Sequence, residues 1–316
     1  MSGARKPEVP AMSAGEFELI NAFISALPHP RAPHGPGDDA AVLAPSRDKL
    51  CLTTDALVEN VHFSRPFFTL ADVGHKALAV NLSDLAAMGA RPSWWLCALG
   101  LPRKFTRAEV QALAGGMAPL AKEHRLALVG GNITASPVLT LTLTVAGQTK
   151  RPLLRAGARV GDLLFVTGTL GAAAAGRVLR IPALVAAQKR PWPQVKLGLI
   201  AARWASAGID VSDGLLADLA HLCAASKVGA NLRAAALPLH PAIRKSQRAL
   251  QWALRGGEDY QLLVTASPRH AVRLGAAFTC IGEIKKSRGL TLDGAAISPS
   301  GFDHFRRSLP GKSNRT

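Results

Sequence analysis

Residues 71–101 read ADVGHKALAVNLSDLAAMGARPSWWLCALGL. Val73, Ala77, Val80, Leu85 and Met88 recur at the spacing of one helix face, and Gly89 with Pro92 closes the pattern. The apolar run 93–101 follows at once and reads as a buried strand. A helix feeding a buried strand is the building unit of a layered α/β chain. Outward from it the alternation continues. Phe17, Ile20, Phe23, Ile24 and Leu27 mark an earlier helix, and residues 40–43 and 50–53 read as short strands. Thr106 and Glu109 form a capping box for a helix through Glu123, 126–129 reads as a strand, and 138–145 alternates as a half-buried one. The second half repeats the scheme: strands at 163–167, 260–265 and 280–284, and helices at 194–205, 215–225 and 268–277. The expected class is α/β of the α+β type in two domains, 1–148 and 149–316, with the polar, basic stretch around Pro152 as the boundary.

Length and composition bound the possibilities. The 316 residues suffice for two cores, and no apolar run approaches the roughly 20 residues that a membrane span needs. The first fifteen residues show no apolar signal core, so a cytoplasmic protein is expected. Cys51, Cys97, Cys223 and Cys280 are scattered in apolar contexts without zinc spacing and read as reduced, buried thiols. A net charge of +17 invites a nucleic-acid reading, but the cations are dispersed and Tyr occurs once, so no base-stacking platform emerges. Nucleic acid and membrane are therefore not expected as partners, and the charge suits steering of small anions.

The acidic residues are unusual in such a basic chain. Asp38, Asp39, Asp55, Asp84, Asp210, Asp213, Asp218, Glu258 and Asp259 fall in five short stretches rich in glycine and small apolar residues. Carboxylates at the ends of apolar elements can converge on Mg²⁺, which also takes phosphate oxygens, so phosphoryl transfer is the first hypothesis. Each stretch also has a structural alternative. Asp38-Asp39 after Gly37 suits an Asx turn, Thr54-Asp55 at a strand exit suits a cap, and Asp213 before a helix suits an N-terminal cap. Asp84 is harder to dismiss, because a carboxylate among Leu82, Leu85 and Met88 needs a metal or a partner such as Lys76. Paired glycines at 130–131 and 256–257 suit close ligand approach or tight turns alike, and His62 is core or ligand. Asp38, Asp218 and Asp259 stay undecided, the second a plausible surface residue.

Read together, GDDAAVL (37–43), TTDALVENVHF (53–63), NLSDLAAMG (81–89), LVGGN (128–132), VTGTLG (166–171), IDVSDGLLADL (209–219), LRGGEDYQL (254–262) and GFDHF (301–305) resemble the thiamine-monophosphate kinase family over nearly the whole chain. The resemblance implies an N-terminal domain whose sheet pairs across a homodimer and a C-terminal α/β domain closing the cleft. It also implies ATP as co-substrate and several Mg²⁺ ions. The implied metal ligands are Asp39, Thr54, Asp55, Asp84, Asn132, Asp210 and Asp213, with Asp84 and Asp213 central to turnover. Gly131, Arg155 and Ser212 are implied for ATP, and His62, Glu258 and Phe302 for thiamine monophosphate. Three positions depart from the family pattern. Asn132 stands where many members have Asp, and Ala56 and Ala135 replace polar residues. Two alternatives stand beside this reading: a related ATP-dependent enzyme with another phosphate acceptor, and a basic nucleic-acid-binding protein.

Overall fold

The structure, a computed structural model of the chain, describes residues 15–30, 36, 40–41 and 43–301. Asp38, Asp39 and Phe302 lie outside the described residues. In chain order the elements are α1 (Glu16–Ile24), β1 (Lys49–Val58), α2 (Leu70–Ala87), β2 (Arg91–Leu101), α3 (Arg107–Glu123), β3 (Ala127–Ala135) and β4 (Thr140–Thr149). They continue with β5 (Leu163–Thr167), α4 (Ala172–Leu179), α5 (Pro182–Lys189), α6 (Val195–Trp204), β6 (Ala207–Asp210), α7 (Leu215–Ser226) and β7 (Gly229–Leu232). Then come α8 (Ala249–Arg255), β8 (Leu262–Ala266), α9 (Pro268–Leu274), β9 (Phe278–Lys285), β10 (Gly289–Leu292) and β11 (Ala295–Ile297). The alternation of helix and strand bears out the α/β class. One sheet has strand order β1-β4-β2-β3 and the other β11-β10-β7-β9-β5-β8-β6. The second is mixed: β10 pairs parallel with β7, and the remaining ladders are antiparallel.

Two compact units divide the chain. One comprises Met1–Leu43, Asp55–Ala77 and Trp95–Leu143. Its core is built where α1 packs on α3, with Leu19 and Phe23 buried beside Val110, Leu113, Met117 and Leu120. Phe23 meets Trp95 edge-on, with ring centroids 6.5 Å apart. The capping box of α3 is present, Thr106 accepting from the Glu109 N–H while Glu109 accepts from the Thr106 N–H. The other unit comprises Ala44–Thr54, Leu78–Trp94 and Thr144–Thr316. There β8, Leu-Leu-Val-Thr-Ala, lies between β5 and β6 and is buried along its whole length, Thr265 included, which suits its mostly apolar sequence. Leu215, Leu216, Leu219 and Leu222 of α7 complete a core with Val166, Ile209, Leu263 and Ile281.

Several local expectations change. Residues 40, 41 and 43 lie outside any strand, whereas β1 extends through Val58, so Thr54 and Asp55 sit inside a strand rather than at its exit. Likewise Gly130, Gly131 and Asn132 belong to β3 instead of a turn. Helices α5 and α8 had no counterpart in the sequence reading, because eight and seven residues give about two turns of periodicity. Among the cysteines, Cys97 and Cys223 are buried as expected, but Cys51 and Cys280 are partly exposed.

Candidate active site

The acidic stretches of the second unit meet around the end of β6. Strand β6 pairs with β8 so that Asp210, its last residue, lies opposite Leu262 and is 4% exposed. On α2, Ser83 donates its hydroxyl proton to Asp210 Oδ2 at 2.7 Å. The next residue, Asp84, is half-buried and accepts from the Thr53 hydroxyl of β1 at 2.5 Å. One dipeptide of α2 thus brings β1 and the end of β6 together, and Thr53, Ser83, Asp84 and Asp210 form a patch of hydroxyl and carboxylate oxygens. The hydroxyl partners had no distinguishing mark in the sequence beyond standing next to acids. Lys76 of the same helix is buried, its ammonium 5.3 Å from the centre of the Phe68 ring.

After Asp210 the chain turns through Val211-Ser212-Asp213-Gly214 into α7. The expected capping role of Asp213 does not appear: Gly214 occupies the cap position without a side-chain bond. Asp218, one turn into α7, reaches back instead. Its Oδ2 accepts the N–H groups of Ser212, Asp213 and Gly214 at 3.0, 3.1 and 3.1 Å. The residue left as plausible surface is 3% exposed. Burial, and then the charge of Asp213, push its carboxyl up to about 7 against the three N–H donors.

A second loop locks onto the first. The N–H groups of Glu258 and Tyr260 donate to the carbonyls of Ser212 and Val211 at 2.7 and 2.9 Å, and Val211 N–H donates to Gln261 O at 2.7 Å. Gly257 stands where a Cβ would lie 2.5 Å from Ser212 O, so the approach requires glycine. Glu258 and Tyr260 adopt positive φ, 69° and 47°, which is costly for residues with side chains and marks this loop as constrained by its neighbours. Glu258 forms an ion pair with Arg177 of α4. Asp259, 8% exposed, turns inward and accepts the N–H groups of Gly171 and Ala173 at the start of α4. Burial raises its carboxyl to about 7. Neither Arg177 nor the inward direction of Asp259 was legible beforehand; only adjacency to Glu258 hinted at the latter.

Other candidates take different places. Arg155 is exposed, and its carbonyl accepts from Ser226 at the far end of α7, about 18 Å of helix from the Ser212–Gly214 turn. Thr54 accepts from the Thr144 hydroxyl at 3.3 Å. In the first unit, Asp55 is half-buried on β1, and Gly131 and Asn132 are exposed on β3, where a Cβ on Gly131 would strike the Cys97 carbonyl. His62 Nδ1 accepts from the Val58 N–H at 3.0 Å. Among the described residues no three His, Cys, Asp or Glu side chains gather as a ready metal cage. The donors that do gather, the Thr53 and Ser83 hydroxyls and the Asp84 and Asp210 carboxylates, are oxygen only, a donor set that suits a hard divalent cation.

Comparison with known proteins bears on the family of the chain. Residues 37–149 match the family described as AIR synthase related protein, N-terminal domain. The thiamine-monophosphate kinase of Escherichia coli strain K12 is 39% identical, over 93% of this chain and 99% of that protein. The crystal structure of thiamine-monophosphate kinase from Stenotrophomonas maltophilia K279a superposes with a TM-score of 0.80 at 39% identity, covering 90% of this chain and 99% of the other. A structure described as AaThiL complexed with AMPPCP and TMP gives a TM-score of 0.77 at 33% identity, covering 92% and 96%. With the order of its acidic stretches, the loops they build and this near-complete overlap in both directions, the chain belongs to the thiamine-monophosphate kinase family.

Proposed function

We propose that the protein transfers the γ-phosphoryl group of ATP to the phosphate of thiamine monophosphate, giving thiamine diphosphate and ADP. The observation that carries this reading is the 39% identity to a thiamine-monophosphate kinase over 99% of that protein's length. The chemistry asks little of a general base. The acceptor is a phosphate oxygen whose second pKa is about 6, so it is largely ionised at neutral pH. One of its lone pairs forms the new P–O bond while the bond between the γ-phosphorus and the bridging oxygen of ADP breaks. Bringing two anions together is the obstacle, and positioning with charge neutralisation overcomes it.

Asp84, Asp210 and Asp213, with Asp39, Thr54, Asp55 and Asn132, are the residues that would hold Mg²⁺, which supplies that neutralisation when bound. Asn132 offers an amide oxygen in place of a carboxylate and so contributes no charge. Ser212, Gly131 and Arg155 are assigned to the nucleotide, and His62, Glu258 and Phe302 to thiamine monophosphate. Glu258 suits the cationic thiamine moiety by charge. The domains are assigned as 1–148 and 149–316, the protein as cytoplasmic, where ATP is available, and the assembly as a homodimer. Support for the dimer comes from β1, an edge strand with Leu50 and Leu52 of its exposed face 52% and 59% accessible.

Incubation with ATP, Mg²⁺ and thiamine monophosphate should yield ADP and thiamine diphosphate in equal amounts. Asp84→Asn and Asp213→Asn should abolish turnover while leaving the melting temperature near that of the parent. ADP release with no phosphorylated thiamine, or full activity in either variant, would overturn the reading.

A further inference from the structure

We propose that Asp218 is a positioning residue that sets the Ser212–Gly214 loop, and through it the spacing between Asp213 and Glu258. The inference rests on the function proposed above. Three successive backbone N–H groups at a helix start form a concavity that ordinarily takes an anion from solution. Here the chain's own carboxylate fills it, a single oxygen receiving all three donors within 3.0–3.1 Å. The Ser212 peptide is thereby held from both sides, its N–H by Asp218 and its carbonyl by the Glu258 N–H at 2.7 Å. Gly257 leaves no slack, because Ser212 O already lies where a side chain would begin. Any movement of the Asp218 acceptor must therefore move Ser212 and Asp213 on one side and the Glu258 backbone on the other. Asp218 itself is buried, 3% exposed, with one oxygen already taken by the three loop N–H groups. It acts through the groups it holds.

Two variants of the full-length protein separate position from charge. Asp218→Asn keeps an oxygen acceptor at the same reach without the charge. Asp218→Glu keeps the charge but displaces the acceptor by one methylene. The expected result is an inversion of the usual conservative ranking: the Asn variant stays near the parental kcat. The Glu variant loses about 100-fold, the cost of an ångström-scale misplacement. Affinity for Mn²⁺, followed by electron paramagnetic resonance with a non-hydrolysable ATP analogue, should fall about tenfold in the Glu variant only, the effect of losing a supporting contact behind a metal ligand. Circular dichroism melting confirms that both variants are folded. A Glu variant that matches the parent in kcat and Mn²⁺ affinity, or an Asn variant as impaired as Glu, overturns the proposal. If the parent makes no thiamine diphosphate, the function falls, and the Mn²⁺ titration alone decides the role of Asp218.

Discussion

At the scale of single residues, the acids of this chain divide by what surrounds them. Asp84 and Asp210 accept from hydroxyls and present the patch that suits a cation, whereas Asp218 and Asp259 are spent on backbone N–H groups. Sequence neighbours could not make this division, because Asp84, Asp210 and Asp218 all stand beside small or apolar residues and yet belong to different groups. What decides it is the direction of each side chain, and that depends on which strand or helix end lies nearby. Asp259 gives a direct test. Its carboxyl is moved from an ordinary 3.8 to about 7, chiefly by burial. In that window the folded state holds a proton that the unfolded state has released, so stability falls as pH rises from about 4 to about 7. Asp259→Asn removes this titration and keeps an acceptor for one of the two N–H groups, since Gly171 and Ala173 donate to different oxygens of the carboxyl. Urea unfolding across pH 4.5–8 should show the parent losing stability relative to the variant through about pH 7. A difference that stays constant with pH would contradict the assignment.

At the scale of elements, the strongly periodic pieces were legible and the short ones were not. The helix at 71–88, the capping box of α3 and the alternating strand at 138–145 all appear within a few residues of their expected bounds. Periodicity needs several turns to declare itself, and α5 and α8 are too short. Glycines illustrate the limit well. Gly115 and Gly116 are neighbours in α3 and indistinguishable in sequence, yet a Cβ on Gly116 would lie 2.0 Å from the Ala71 carbonyl oxygen while one on Gly115 would meet nothing within 4 Å. Gly116→Ala must push the helices apart at a backbone atom and should cost ~1–3 kcal/mol. Gly115→Ala removes a flexible residue from an exposed helix face and should stabilise by ~0.5–1 kcal/mol. Thermal melts of the two variants should move in opposite directions, and equal shifts would refute the packing argument.

At the scale of the whole molecule, the net charge of +17 favours the approach of anionic substrates, while the acids of the candidate site repel them and call for cations to mediate. The proposed homodimer belongs here too. Exposed leucines on an edge strand are an association hazard unless covered. Light scattering should find the parent at twice 33.1 kDa and Leu50→Glu/Leu52→Glu at 33.1 kDa. A parent of 33.1 kDa would end the dimer reading. By itself, the sequence determined the α/β class, the helix and strand of 71–101 and the identity and order of the acidic stretches, because periodicity and motif spacing are local properties of the chain. Tertiary structure alone decided that Ser83 and Thr53 furnish partners for Asp210 and Asp84, and that Asp218 and Asp259 face inward. It also placed Glu258 opposite Ser212 and beside Arg177. The hydroxyl–carboxylate pairs join residues 31 and 127 positions apart, whereas the Asp218 bonds span four to six, and only the packing of β1, α2 and β6 brings the distant ones within hydrogen-bonding distance.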